Sequence, residues 1–330
     1  MEFGACVVAI WFGGVRLSRY ADAIAEKSGL GRNWTGMILL GTVTSLPELV
    51  TGVSSVTVAG VPDIAIGDVL GSTVFNLAIL AVVEVITRPD SLYTRANRGH
   101  TLSAAFGSIL IGIAALSLLA TAQGAPVGIG HVGIYVPVIV LVYLVAMRLV
   151  HRYERHEMAE FVESATPRYD HISLRRALLG YAAAAAIVAA AGSWLPFIGD
   201  EIARALGWHT SFVGTLLIAA ATSAPELAVT AATLRLGALD MAIASLLGSN
   251  LFDILIIAID DLLYLPGPIL ADVSPAHVFS AISAMIMTGL AVVGLFYRPA
   301  GRLLHTMGWI GLSLVALYLT NAWLLFHFGG

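Results

Sequence analysis

The sequence predicts an all-α membrane protein of ten transmembrane helices, arranged as two inverted five-helix repeats. Three observations carry that reading. Of the 330 residues, 58% are hydrophobic and only 12% are charged, against roughly 25% charged in a soluble domain. The apolar residues come in runs of about 18 or more, long enough to cross the ~30 Å hydrocarbon core of a bilayer. One long motif also occurs twice, 177 to 178 residues apart.

The apolar segments lie near 2–17, 36–59, 63–86, 102–122, 131–149, 175–197, 211–234, 240–263, 274–297 and 303–326. Lipid offers the backbone no hydrogen-bond partners, so a spanning segment is a helix or a barrel strand. The strict alternation of barrel strands is absent, which leaves helices. The N-terminus lacks the basic region and small-residue cleavage pattern of a signal peptide, so residues 2–17 read as a first, rather short helix. The one sizeable polar stretch is 151–174, beginning His151-Arg-Tyr-Glu-Arg-His-Glu157. It reads as a linker, with a regulatory ion-binding role as the alternative, and is too short for a catalytic domain. The organisation is therefore a first repeat over 1–150, a linker over 151–174 and a second repeat over 175–330.

Charge sets the orientation. Sixteen of the 17 Lys and Arg residues fall in alternate loops, and Arg204 alone falls on the other side. By the positive-inside rule those loops, including 151–174, are cytoplasmic, and both termini lie outside a cytoplasmic membrane. The net charge of −4 gives no hint of nucleic acid. Cys6 is the only cysteine, which excludes an intramolecular disulfide and a cysteine-based zinc site.

The repeat is explicit. Gly41-Thr-Val-Thr-Ser-Leu-Pro-Glu-Leu-Val-Thr-Gly52 matches Ala219-Ala-Ala-Thr-Ser-Ala-Pro-Glu-Leu-Ala-Val-Thr230. Asp63 to Asn76 then matches Asp240 to Asp253, with Gly71-Ser72 against Gly248-Ser249. Five helices per half is an odd number, so the halves enter the membrane from opposite sides. That is the inverted-repeat construction of secondary transporters, whose sites lie at the repeat interface near the midplane.

Glu48 and Glu226 fall well inside the second and seventh segments. An ionised carboxylate there is costly unless paired, and no Lys or Arg lies deep in any segment to pair with it. A proton or a bound cation is left. A protonated Glu bridging two helices is the bland alternative, and it must occur twice. Thr44 and Ser45 precede Glu48 by four and three residues, as Thr222 and Ser223 precede Glu226, so each trio shares a helix face. Hydroxyl and carboxylate oxygens are the donors that hard cations prefer. Pro47 and Pro225 each remove a helix hydrogen bond and push carbonyls off the ladder. Ser72 with Asn76, and Ser249 with Asp253, are again four apart. Asp253 against Asn76 is the one broken symmetry, which sets the site at three carboxylates. Gly71 and Gly248 allow close helix approach. Asp63 and Asp240 are expected as N-caps. Asp68, matched by Ser245, is open to a site or access-path role. Glu84, Asp260 and Asp261 lie near segment ends and read as interfacial. The nine His residues form no ligand-spaced cluster.

The paired Thr-Ser-x-Pro-Glu-Leu and Gly-Ser-x-x-Phe-Asn/Asp stretches resemble the alpha repeats of the cation/Ca²⁺ exchanger superfamily, most closely its prokaryotic sodium/calcium exchanger branch. The resemblance covers essentially the whole chain. It implies a secondary active antiporter, not an enzyme, that exchanges Na⁺ for Ca²⁺ with no cofactor and works as a monomer in the lipid bilayer. It implies side-chain ligands Thr44, Ser45, Glu48, Ser72, Asn76, Thr222, Ser223, Glu226, Ser249 and Asp253, with backbone carbonyls of Gly41 and Ala219. It also implies that the first and sixth helices are long and slide across the rest, eased by Gly13, Gly14 and Gly192. This chain departs from the family pattern at Thr73 and at Gly52, where a small hydroxyl residue is common. Proton-coupled relatives carry Gly-Asn-x-x-Glu instead, which favours Na⁺. H⁺/Ca²⁺ exchange, K⁺-dependent exchange and another divalent cation stay open on the same fold.

Overall fold

A computed structural model describes residues 1–27, 42–87, 91–124, 128–158, 172–235, 237–299 and 307–329. The chain is almost wholly helical. The first half holds α1 (Glu2–Lys27), a helical turn over 42–44, α2 (Leu46–Ser54) running into a π-helical turn (Ser55–Ala59), α3 (Pro62–Ile86), a short α4 (Leu92–Arg95) and α5 (His100–Ala122). A small hairpin of β1 (Gly128–Ile129) and β2 (Val132–Gly133) precedes α6 (Tyr135–Met158). The second half holds α7 (Leu174–Leu206), α8 (Thr210–Val213), a π-helical turn (Gly214–Ile218), α9 (Ala219–Thr222), α10 (Ala224–Arg235), α11 (Leu239–Leu263), a 3₁₀ turn (Ile269–Ala271), α12 (His277–Tyr297) and α13 (Trp309–Phe328).

Among the described residues, seven helices are long and apolar enough to cross a membrane: α3, α5, α6 over Tyr135–Tyr153, α7, α11, α12 and α13. The stretch Thr210–Thr222 with Ala224–Arg235, bent by 41°, makes an eighth if it is one span. Leu46–Ala59 is apolar but shorter, and Arg16 and Arg19 interrupt the apolar run of α1. The first helix is not short, however, since α1 continues for 26 residues. The first residues of the stretch 151–174 extend α6 to Met158, and 159–171 fall outside the described residues.

α3 and α11 are the most enclosed of the spanning helices, 72% and 83% buried over their apolar windows. The helices around them carry their apolar surface outward, as lipid-facing elements do. Leu116, Leu141, Leu179 and Phe296 are examples, all more than half exposed. Glycine sets the closest approach: a Cβ on Gly71 would lie 2.3 Å from the Thr215 carbonyl oxygen, and one on Gly67 would lie 3.1 Å from Gly214 Cα. α3 therefore packs backbone to backbone on the π-helical turn at 214–218.

α1 lies along α7 in the opposite direction, with Gly13 beside Val188, Tyr20 beside Gly180 and Glu2 accepting from Trp194 Nε1 at 3.3 Å. The pair also touches the motif helices. A Cβ on Gly14 would sit 2.3 Å from Pro225 Cγ, and one on Gly192 would sit 3.3 Å from the Pro47 carbonyl oxygen. In the repeat register Gly14 and Gly192 correspond, as do Pro47 and Pro225. The two contacts are thus one contact with the halves exchanged.

Candidate cation site

The site starts at two breaks. Ser45 ends the helical turn before α2 with φ −83° and ψ 14°. Ser223 ends α9 with φ −81° and ψ 7°. Each lies two residues before a proline, which cannot donate to the helix ladder. Each break presents Thr and Ser hydroxyls, then the Glu one turn later. α3 and α11 close the other sides with Ser72/Asn76 and Ser249/Asp253.

These residues meet. Glu48 Oε1 accepts from Ser72 Oγ at 3.2 Å and from Ser223 Oγ at 3.0 Å. Thr44 Oγ1 and Ser249 Oγ are 3.1 Å apart, and Thr222 Oγ1 and Ser72 Oγ are 3.4 Å apart. This is again one contact written twice with the halves exchanged. Asn76 Nδ2 donates to Asn250 Oδ1 at 3.1 Å, and Asn250 Nδ2 donates to the Thr73 carbonyl at 3.4 Å. Sequence reasoning left Asn250 out of the ligand set, although it stands inside the Gly-Ser-Asn stretch. All ten predicted side chains are buried. Ala219 is buried too, and its carbonyl accepts from Ser223 N at 2.9 Å, with Thr222 Oγ1 3.2 Å away. Gly41 lies outside the described residues.

The carboxylates are under-satisfied. Glu48 Oε2 and both oxygens of Glu226 and Asp253 accept no hydrogen bond of ordinary geometry. Thr44 stands beside Glu226 and Ser45 beside Asp253, in looser contact. Among the described residues no basic side chain comes within ion-pairing distance of them. Nor do three carboxylate, imidazole or thiol groups among those residues converge tightly enough to hold an ion by themselves. Any bound cation would take hydroxyl and carbonyl oxygens as well, which is the mixed oxygen shell a hard cation uses.

Asp68 borders this cluster. Its Oδ1 accepts from Thr222 Oγ1 at 2.7 Å, the shortest contact that hydroxyl makes, while Oδ2 is unpartnered among the described residues. It stands beside the three expected carboxylates as a further buried one.

Glu84, Asp260 and Asp261 lie near segment ends, and all are buried within the protein, 1% exposed or less. Glu84 and Asp261 hold neighbouring backbone. Glu84 accepts from Gly308 N at 3.1 Å, just before α13. Asp261 accepts from Gly133 N and Ile269 N at 2.8 Å each and from the Tyr135 hydroxyl, at the start of α6. A helix start leaves N–H groups unsatisfied, and a carboxylate suits them. Asp63 and Asp240 do not cap their own helices, since neither α3 nor α11 has a side-chain cap. Each instead reaches across to the other half. Asp63 accepts from Ser274 N at 2.7 Å and lies 3.0 Å from His277 Nε2. Asp240 accepts from Asn97 N at 2.7 Å and lies 3.0 Å from His100 Nε2. His100 and His277 are themselves 177 residues apart, a signal the sequence carried.

Buried helices, two broken at matching positions around an oxygen-lined centre rich in carboxyl groups, make the kind of site that suits a cation inside a membrane protein. The comparisons with known proteins agree. A family model described as "Sodium/calcium exchanger protein" matches residues 2–144 and 176–327, and the chain belongs to that family. It is 24% identical over 284 residues to the Escherichia coli inner membrane protein YrbG, covering 86% of this chain and 84% of YrbG. In fold it resembles native YfkE, with a TM-score of 0.65 at 17% identity, covering 98% of this chain and 92% of that one. It also resembles the sodium-calcium exchanger NCX_Mj soaked with Na⁺ and Ca²⁺, with a TM-score of 0.61 at 20% identity, covering 97% and 95%. The chain is thus a multi-pass membrane protein of an exchanger family.

Proposed function

We propose that this protein is a secondary active antiporter that exchanges Na⁺ for Ca²⁺ across the cytoplasmic membrane by alternating access. The observation that carries the reading is Glu48, which takes one hydroxyl from Ser72 in its own half and one from Ser223 in the other. The two motifs are then two halves of one site. Its side-chain ligands are Thr44, Ser45, Glu48, Ser72, Asn76, Thr222, Ser223, Glu226, Ser249 and Asp253, with carbonyls of Gly41 and Ala219. Ten spans in two inverted five-helix repeats, over 1–150 and 175–330, place both termini outside and the linker inside. The paired contacts Thr44–Ser249 and Thr222–Ser72 support the pseudo-two-fold axis that such repeats require.

Coupling follows from charge. The buried carboxylates accommodate one Ca²⁺ or several Na⁺, but not both sets. A site without cations leaves them unpaired in low dielectric, which opposes the switch between inward- and outward-facing states. The long α1 and α7, resting on the motif prolines through Gly14 and Gly192, are the elements that would slide.

The test is Ca²⁺ uptake into proteoliposomes under an imposed Na⁺ gradient with protonophore present, for wild type and Glu226→Gln. Na⁺-driven uptake in wild type and its loss in the variant are expected. Uptake that ignores Na⁺ and vanishes with the protonophore would replace Na⁺ by H⁺. Unchanged uptake in the variant would remove Glu226 from the site.

A further inference from the structure

The two ends of the core differ in charge. α2 and α11 run the same way, because Thr44 meets Ser249 and Gly52 meets Asp260. The chain reverses at Gly60 into α3, which therefore runs opposite to both. Asp68, one turn before Ser72 on α3, and Asp260, two turns after Asp253 on α11, thus point toward the same end of the molecule, that of Gly60. At 1.5 Å per residue they lie about 6 Å and 10 Å beyond the motif site along the helix axes. Both are 0% exposed. Asp260 has neither oxygen hydrogen-bonded, and Asp68 has one free. Their charges are near enough to interact with each other, and that of Asp68 with Glu48.

The opposite end lacks carboxylates at the matching positions. In the repeat register Asp68 corresponds to Ser245 and Asp260 to Val83. The difference is built into the packing. A Cβ on Gly52 would lie 2.4 Å from Asp260 Oδ2 and 2.8 Å from Oδ1. The counterpart of Gly52 is Thr230, so the register sets Thr and Val at the positions that Gly and Asp hold here. The missing side chain at 52 makes room for a carboxylate that no group among the described residues satisfies. Leaving such a group buried and unmatched costs several kcal/mol, so an accommodated, unpaired carboxylate points to a partner that comes and goes.

We propose that Asp68 and Asp260 form a second cation station on the Gly60 side of the motif site, between it and the membrane face that the proposed orientation makes external. Its occupant is a hard, oxygen-seeking cation of the kind the motif site takes. Asp68 shares Thr222 with that site and hands the ion between the two, while Asp260 holds it over Gly52. The inference rests on the exchanger reading.

The test uses the full chain in sealed vesicles of known orientation and reads half-saturating Ca²⁺ from each face for wild type, Asp68→Asn, Asp260→Asn and the double variant. Thermal unfolding in detergent controls for folding, and both substitutions are near-isosteric. In the double variant the half-saturating Ca²⁺ at the Gly60 face should rise about tenfold, the scale of a lost charge-assisted contact, with the opposite face within a factor of about two. Unchanged values, or equal shifts at both faces in a folded protein, would overturn the station. A wild type that moves no Ca²⁺ at either face would fail the exchanger reading itself, and the station with it. An active wild type with unaffected variants would fail the station alone.

Discussion

Asp261 and Asp253 sit on one helix, equally buried, and are built in opposite ways. Asp261 holds two backbone N–H groups and a tyrosine hydroxyl, whereas Asp253 holds no well-formed hydrogen bond at either oxygen. Glu84 and Glu226 repeat the contrast, Glu84 on the backbone before α13 and Glu226 on nothing of ordinary geometry. Burial alone therefore does not mark a site. A buried carboxylate surrounded by fixed donors holds the fold together. One surrounded by hydroxyls with oxygens to spare is arranged for something that is not part of the chain.

That contrast can be broken by mutation. The largest effect is expected at Glu226. Glu226→Gln removes the charge that a bound cation offsets in the proposed antiporter, so Ca²⁺ flux should fall by roughly a hundredfold or more while thermal stability is unchanged or raised, since an uncompensated buried charge has gone. A variant that unfolds instead would move Glu226 into the structural set. Asp261→Ala should do the reverse. It strands the Gly133 and Ile269 N–H groups, so unfolding in detergent should come ~2–4 kcal/mol sooner, with flux per folded molecule retained.

Gly52→Thr sharpens the comparison between the two ends of the core. The new side chain collides with Asp260, and overpacking of this kind costs ~1–3 kcal/mol. Adding Asp260→Val sets the residues that the repeat register carries at Thr230 and Val83 and should recover most of the loss, a coupling readable in a double-mutant cycle. Additive losses would show that the Gly52 space is unrelated to Asp260. The smallest effect belongs to His277→Gln, which should cost ~1 kcal/mol of stability through its contact with Asp63. His100→Gln should match it closely, because the Asp240 contact is the same contact in the other half.

Much of this was legible in the chain. The positions of the helical segments follow from hydropathy, the doubled motif from direct comparison of the halves, and the membership of Glu48, Ser72 and Ser223 in one cluster from their spacing and the helix count expected per repeat. The histidine–aspartate contacts were half legible, since His100 and His277 keep the repeat offset, but their partners lie on other helices. The fates of Glu84, Asp260 and Asp261 were not legible. Position near a segment end suggests an interface, yet Gly308, Gly133, Ile269 and Gly52, from distant parts of the chain, lie against them.

The sequence by itself determined the membrane setting, the repeat, the proline-broken motif helices and the residue types at the site, because these depend on composition, period and spacing along one chain. Only the tertiary structure decided which carboxylates are satisfied. Asp261 and Asp260 are adjacent in sequence and point to different neighbours 100 degrees apart around the helix. One meets the N–H groups of Gly133 and Ile269, and the other meets the bare backbone at Gly52. Satisfaction of a buried charge is a property of what faces it across the packing, and that is settled only when helices distant in sequence are brought side by side.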